Sequence, residues 1–541
     1  MSKRNKTASA PLLDMWRPPH GAGEPIGCLA TTFTFKKSDL FSEHCLARFL
    51  GIESEPDRED LAFLLERETR LGGVYAGVLV DYSQAGVEHS LRWDVLPVRI
   101  RGGKQHAKLS LLVWQYHIRV IIASANLTEQ GYRTNLEVAS TLDFSADDEN
   151  TELLTDTIAF LRSLLVFVPS SREKSPELRR AEEFLSTTEK RAESGSTGKR
   201  GRTIRQNLVA TVPHVEGGEA PRSSLEEALE HCRARGGSPN EVWVASPFYD
   251  AEDRAARLTA TLCKSMARGE KRRLWFCVPE VRDGSTAAVP RLAAPKALYT
   301  VPQEYSGTVT VETLPELDGD KNRRPWHAKM LALKNDDYSA VMIGSSNFTG
   351  AGLGIDRYRN VEANLLTIVD IEKFDRDSGQ LEGVWPTMEE VDDPDSAEWL
   401  GMQVGLDDGE MSDAPPMPPG FLYATYRAGV NSRIVLHFIP TELPDDWSIS
   451  ATGNDKRDLL SVQAWRDGGA APQVEISWGL PQTQAQRFGY GRRIRSQPMA
   501  PSIPILTHQH LLTLIRSIAM TCRPPSCTAC GGARASSPNY V

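Results

Sequence analysis

His106-Ala107-Lys108 opens an apolar stretch that closes on Ser124-Ala125-Asn126-Leu127-Thr128 and is followed by Asn135-Leu136-Glu137. The chain then repeats the pattern as His327-Ala328-Lys329, Ser345-Ser346-Asn347-Phe348-Thr349 and Asn360-Val361-Glu362. His and Asn lie 20 positions apart in both copies, and His, Lys, Ser, Asn and Thr each recur at an offset of 221. Agreement of five residue types at one offset marks an internal duplication.

Between His and Asn each copy divides into two β-prone runs, Leu109 to Trp114 with Ile118 to Ala123, and Met330 to Leu333 with Tyr338 to Ile343. Asn335-Asp336-Asp337 supplies turn chemistry in the second copy, and Gln115-Tyr116-His117 a weaker turn in the first. Residues equidistant from a hairpin turn lie opposite one another, so His and Asn are expected at one sheet edge. His and Lys, two apart on a strand, project from the same face. Each copy therefore gathers an imidazole, an ammonium and a carboxamide, and the next strand, Leu136 to Leu142, adds the carboxylate of Glu137 in the first.

Displacement at a phosphodiester needs a nucleophile, a proton donor for the leaving oxygen, and positive charge around the non-bridging oxygens. Two such sets facing each other supply all three. His106 and His327 can serve as nucleophile and acid near neutral pH. Lys108 and Lys329 bring compact charge, Asn126 and Asn347 bring donors, and Glu137 and Glu362 can orient the imidazoles. The set calls for no metal and no cofactor.

These residues resemble the phospholipase D superfamily, whose mark is a duplicated His-x-Lys followed by Asp or Asn. With Asn in both copies, the chain is similar to tyrosyl-DNA phosphodiesterases and bacterial phospholipase-D-like nucleases. The resemblance spans roughly residues 25 to 375. It implies an α/β fold of two tandem α-β-α halves in a pseudo-twofold pair, with one active site across their interface, so that a monomer suffices. It further implies a phosphohistidine intermediate, with His106 as nucleophile and His327 as general acid.

At 541 residues and 40% hydrophobic content the chain has length for about three domains with ordinary cores. Residues 1–23 are polar and lack an apolar signal core, so they are expected to be a disordered arm. Residues 24–170 form the first half and 223–381 the second, with 171–222 as a charged linker. Within that linker, Arg172 to Arg191 is expected as an exposed helix or helix pair. Residues 382–420 form an acidic, proline-rich linker: Glu382 to Asp413 holds eleven acidic residues and no Lys or Arg, which accounts for the whole net charge of −9 and leaves the cleft free to be basic. Residues 421–541 are expected as a β-rich accessory domain with a disordered tail, whose partner the sequence does not identify. Phe421 to Tyr426, Ser432 to Phe438, Leu459 to Trp465 and Gln473 to Trp478 are its expected strands. Eight Cys without regular spacing fit a reducing, cytoplasmic location. No apolar run is long enough to span a bilayer, so integral membrane association is not expected.

Nucleic acid is the expected substrate, because basic residues flank both motifs. Arg99, Arg101 and Lys104 precede His106, and Arg323, Arg324 and Trp326 precede His327. The latter three, with Ser124 and Ser345, are the expected substrate contacts. Two alternatives remain open: a phospholipid head-group hydrolase or transferase, and a non-catalytic relative that binds nucleic acid or protein.

Overall fold

The structure is a computed structural model. It describes residues 11–54, 60–85, 90, 92–145, 151–169, 175–193, 204–214, 220–268, 272–281, 289–313, 325–371, 385, 388–401, 420–427, 433–443, 445, 447–451, 457–477 and 518–521. The chain divides into two compact units, Met1–Pro415 and Pro416–Val541. No described helix is long and apolar enough to cross a membrane.

Six strands build the first sheet: β1 (Pro25–Thr32), β2 (Tyr75–Asp81), β3 (Asp94–Val98), β4 (Leu109–Trp114), β5 (His117–Ala123) and β6 (Ala139–Ser145). Their order is β3-β2-β1-β4-β5-β6, with β1, β2 and β3 mutually parallel and β4, β5 and β6 antiparallel to their neighbours. The chain continues with β7 (Ile204–Thr211), β8 (Glu241–Ala245), β9 (Arg273–Cys277), β10 (Arg291–Leu292), β11 (Thr308–Thr313), β12 (Met330–Lys334), β13 (Tyr338–Gly344), β14 (Glu362–Asp370), β15 (Glu389–Glu390) and β16 (Glu398–Trp399). All but β10 and β16, which pair with each other, form a second sheet in the order β15-β11-β9-β8-β12-β13-β14-β7. Its six strands from β11 to β14 reproduce the order and the parallel and antiparallel pairings of the first sheet.

Both faces of the first sheet are covered. On one, Cys28, Ala30, Val78 and Val80 meet Leu40, Phe41, Leu46 and Phe49 of the helical stretch Leu40–Phe49. On the other, Leu29, Leu79, Leu111 and Val113 meet the helices Thr151–Leu165 and Pro176–Glu193, and this cluster runs on to Leu208 and Ala210 of β7 and Ala363 and Leu365 of β14. One apolar core is thus shared by both sheets, where alternate strand positions face the same helices. The second sheet packs its other face on the helices Ser224–Gly236 and Glu252–Ser265. The first of these helices starts where Ser223 Oγ accepts the Glu226 N–H and caps it.

Several expectations need correction. Residues 171–222 are not a linker throughout. Pro176–Glu193 buries Leu178, Ala181, Leu185, Thr188 and Ala192 along one stripe, so its many charges occupy only the outer face. Residues Ile204–Thr211 are an edge strand of the second sheet, paired with β14 along its whole length. Within residues 1–23 the described part is not a disordered arm: Leu13, in the short helix Pro11–Asp14, and Trp16, in the turn just after it, are fully buried against the first half, and Trp16 Nε1 donates to the Tyr132 hydroxyl at 3.2 Å. The acidic stretch also contributes structure, since β15 pairs with β11, β16 with β10, and Val391 and Ala397 enter the second core. Glu137 lies before a strand and not within one, because Leu136 pairs with Trp326 of the other half and β6 begins only at Ala139.

The second unit holds β17 (Phe421–Arg427), β18 (Arg433–Phe438), β19 (Ser448–Ala451), β20 (Arg457–Ser461), β21 (Gln473–Ser477) and β22 (Ile518–Thr521), in two three-stranded sheets, β17-β18-β21 and β20-β19-β22. Leu459 to Trp465 is not one strand. Ser461 Oγ caps the helix Val462–Asp467 by accepting the Ala464 N–H, which brings Trp465 onto Phe438 and Trp447.

Replacing Trp16 tests the packing of the N-terminal segment. Trp16→Ala removes a fully buried indole, so the first unit should lose about 3–5 kcal/mol of stability, read as a lowered midpoint in its thermal or urea transition. A disordered arm would leave that transition unmoved.

Candidate active site

Each hairpin delivers its motif to one edge of its sheet. Leu109 pairs with Ile122 and Met330 with Ile343, so the residues preceding β4 and β12 come out beside those following β5 and β13. The Asn segments turn identically. Thr128 N–H bonds the Asn126 carbonyl at 2.8 Å while its Oγ1 accepts from Gly131 N, and Thr349 and Gly352 do the same around Asn347. A Cβ on Gly131 or Gly352 would fall 2.5 or 2.7 Å from that Asn carbonyl oxygen, which explains the glycine after each motif.

The two halves then exchange partners. His106 N–H bonds the Val361 carbonyl and His327 N–H bonds the Leu136 carbonyl, both at 2.9 Å. The residue after each carbonyl is a glutamate, so each imidazole meets the carboxylate of the other half. His106 Nδ1 lies 2.9 Å from Glu362 Oε2, and His327 Nδ1 lies 2.6 Å from Glu137 Oε1. Asn135 and Asn360 donate to the Oε1 atoms of Glu137 and Glu362 at 3.3 and 3.1 Å, which gives the Asn-x-Glu pattern its meaning. Lys108 Nζ donates to the His106 carbonyl at 2.9 Å, and Lys329 Nζ to the His327 carbonyl at 2.8 Å. All six charged or imidazole side chains are buried.

Burial by itself would raise the Glu137 pKa. The attraction of His327, the hydrogen bond from it, the charge of Lys329 and the hydrogen bond from Ser124 outweigh that effect and hold the carboxyl below its ordinary range. Glu137 is therefore ionised at neutral pH and keeps the His327 ring proton on Nδ1. On the first half Asp81, at the end of β2, accepts the Gln105 N–H at 2.8 Å and so anchors the residue before His106.

The asparagines differ. Asn126 Oδ1 accepts the Phe33 N–H at 3.2 Å, which turns its amide nitrogen the other way. Leu127 N–H bonds Thr32 Oγ1, and Phe348 N–H bonds Ser246 Oγ, both at 3.1 Å, so Pro247 occupies the position of Phe33. Proline has no N–H, and Asn347 Oδ1 is buried with no hydrogen-bond partner among the described residues. Aromatic rings flank both histidines: Phe33 lies 5.7 Å from His106 and Phe248 lies 6.2 Å from His327, centroid to centroid. Neither phenylalanine carries a motif. Their only mark in the sequence is a position just beyond a buried strand.

Other expected contacts take different places. Ser124 and Ser345 are fully buried and face inward: Ser124 bonds the Glu137 carboxylate and the Val138 backbone, and Ser345 bonds the Ala363 backbone. They position the segments carrying the glutamates and do not line a substrate path. Trp326 pairs with Leu136 and packs in an apolar cluster with Ala245, Cys277, Met330 and Trp385. Arg323 and Arg324 lie outside the described residues.

The lip next to His106 joins loops of both halves. Lys104 N–H bonds Asn360 Oδ1, Val361 N–H bonds the Lys104 carbonyl, and the Tyr358 ring packs over Gly102. Cations lie over rings along it: Lys104 Nζ is 5.1 Å from the Phe33 centroid, and the Arg357 guanidinium is 5.3 Å from that of Tyr358.

No family model matches the chain, and no curated protein matches it. Among solved structures it is similar to yeast tyrosyl-DNA phosphodiesterase, at 11% identity and a TM-score of 0.39 over 63% of this chain and 84% of that one. It is also similar to phosphatidylserine synthase of Haemophilus influenzae Rd KW20, at 12% identity and a TM-score of 0.38 over 72% and 86%. A third is polyphosphate kinase of Porphyromonas gingivalis, at 10% identity and a TM-score of 0.35 over 69% and 44%.

The lowered Glu137 pKa has a defined signature. Its ionised form stabilises the fold above the ordinary carboxylate pKa, and that contribution fades as pH falls through the folded-state value. Glu137→Gln should lower the urea midpoint at pH 7 and flatten its acid-side decline below about pH 5. Equal midpoints for both proteins at pH 7 would contradict an ionised, paired Glu137.

Proposed function

We propose that this chain is a metal-independent phosphodiesterase of phospholipase D type, working through a phosphohistidine intermediate on nucleic acid. The crossed His–Glu pairs support this reading best. Two buried imidazoles, each with Nδ1 on a carboxylate and each followed two residues later by a lysine, are what a two-step displacement at phosphorus requires. A merely structural His–Glu pair needs neither a second copy nor the paired ammonium groups.

In the first step Nε2 of one histidine attacks phosphorus as the bond to the leaving oxygen breaks. The other histidine supplies the proton to that oxygen. In the second step this latter histidine takes a proton from water, whose oxygen displaces the phosphohistidine nitrogen. Glu137 and Glu362 balance the imidazolium charge as it forms. Lys108 and Lys329 stabilise the oxygens of the transition state, and Asn126 presents its amide nitrogen to them because its oxygen is held by Phe33 N–H.

The lip around Lys104 and Tyr358 favours a nucleic-acid substrate. Lys104, Arg101 and Arg357 offer charge to successive phosphates, while Tyr358 offers a face for a base. Such alternation fits a single strand better than a lipid surface, which would ask for exposed apolar side chains.

The decisive assay incubates the protein, with chelator present, against labelled single-stranded DNA, RNA, a 3′-phosphotyrosyl oligonucleotide and phosphatidylcholine. Cleavage of one or more of the nucleic-acid substrates is expected, and cleavage of phosphatidylcholine alone would move the substrate to lipid. His106→Ala and His327→Ala should each lose about 10²–10⁴-fold in rate, and a fully active double variant would refute the mechanism. Lys104→Glu and Arg357→Glu should weaken DNA binding and reduce its salt slope by roughly one per lost phosphate contact, measured by fluorescence anisotropy. Salt-dependent DNA binding without turnover of any substrate would identify a binding protein.

A further inference from the structure

The two ends of the site share a backbone pattern but not its side chains. Beside His106 the Val361 N–H bonds the Lys104 carbonyl at 2.8 Å, and beside His327 the Leu136 N–H bonds the Pro325 carbonyl at 2.7 Å. A proline thus stands at the second end where the first has a lysine. The loops leading to the two glutamates differ in the same direction. At the first end Tyr358 packs over Gly102, the Arg357 guanidinium lies over Tyr358, and Arg357 and Arg101 are both exposed. At the second end the cation of the corresponding loop, Arg133, is paired with Glu129 at 3.0 Å. Leu136, in that same loop, is 38% exposed.

From Leu136 outward the second end is apolar and then acidic. Trp326 pairs with Leu136 and shares an apolar cluster with Trp385 and Met388. Glu389 and Glu390 follow Met388 directly as β15, and both are exposed. Glu390 lies opposite Glu312 of β11, and burial, then the charge of Glu390, pushes the Glu312 pKa up. Asp392 and Asp393 extend the exposed acids. Residues 314–324, which lie outside the described residues, hold Lys321, Arg323 and Arg324 against Glu316, Asp318 and Asp320, so they add no net charge.

A strand that ran through the whole site would carry phosphates out at both ends. Past His106 they meet cations, which exchange for the counterions of the strand. Past His327 they meet apolar side chains, which leave a charge unpaired, and then carboxylates of the same sign, which repel it. Building on the nucleic-acid reading of this site, we propose that it acts at the end of a strand and not within one. The strand lies along the lip of Lys104, Arg357 and Tyr358. The group on the other side of the scissile ester, beside His327, is an uncharged terminal residue such as a single nucleoside, for which Leu136 and Trp326 offer apolar surface. An internal diester has a charged neighbour on each side and is disfavoured by charge alone.

The test gives the full-length wild-type protein, with chelator present, a closed single-stranded DNA circle and the same sequence made linear with hydroxyl groups at both ends. The linear strand is expected to shorten stepwise from an end, and the circle to open about 10²-fold more slowly. Opening of the circle within about tenfold of the linear rate overturns the proposal. Phosphate on both ends of the linear strand should slow its shortening about tenfold, and equal rates for the two linear strands count against an uncharged terminal group. The double variant Glu389→Lys, Glu390→Lys should narrow the gap between circle and linear strand about tenfold. An unchanged gap, in a variant that still shortens the linear strand, overturns charge as its cause. If neither DNA nor the RNA counterpart of either is cut, the nucleic-acid phosphodiesterase reading itself falls, a result distinct from an opened circle.

Discussion

Each motif histidine in this protein is completed by a glutamate from the other half of the repeat, and the rest of the first unit is arranged around that exchange. A carboxylate buried without a partner is strongly disfavoured, as is a buried ammonium. Glu137 and Glu362 are both inaccessible, and each finds its partner only when the two halves are brought together. Neither motif is electrostatically complete in its own half. The backbone bonds from His106 to Val361 and from His327 to Leu136 fix the same geometry one residue away. A small shift between the sheets would break both kinds of contact at once.

The neighbouring elements follow from that requirement. The apolar core beneath the site belongs to both sheets, because the helices Thr151–Leu165 and Pro176–Glu193 pack on the first sheet while β7 and β14 of the second reach the same cluster. Turns that fold tightly over Gly131 and Gly352 hold the asparagines, and Ser124 and Ser345 pin the segments that carry the glutamates. The duplication nevertheless tolerates differences. Proline replaces a backbone donor at position 247, and Lys329 engages the imidazole beside it.

Much of the strand pattern was legible from apolar runs and turn residues, as in the two hairpins that carry the motifs. What escaped has a common cause. In Pro176–Glu193 and around Val391 and Ala397, charges outnumber the few apolar residues that are buried, so composition reads as a solvated linker while one narrow stripe does the packing. Leu13 and Trp16 were hidden in the same way within a polar terminus. The chain segment after Thr134 was expected to enter its strand earlier than it does, because the pairing of Leu136 with Trp326 joins residues far apart in sequence.

By itself the sequence determined the eight polar residues of the two His-Lys-Asn-Glu sets, since one offset of 221 relates His, Lys and Asn and periodicity places them at sheet edges. It could not say which glutamate serves which histidine. That choice depends on a contact between halves, and local spacing is identical whether the carboxylate stays in its own half or crosses. Nor could residue type separate Ser124 and Ser345, which face inward, from groups that face a substrate, because a hydroxyl is equally fit for either and only burial distinguishes them.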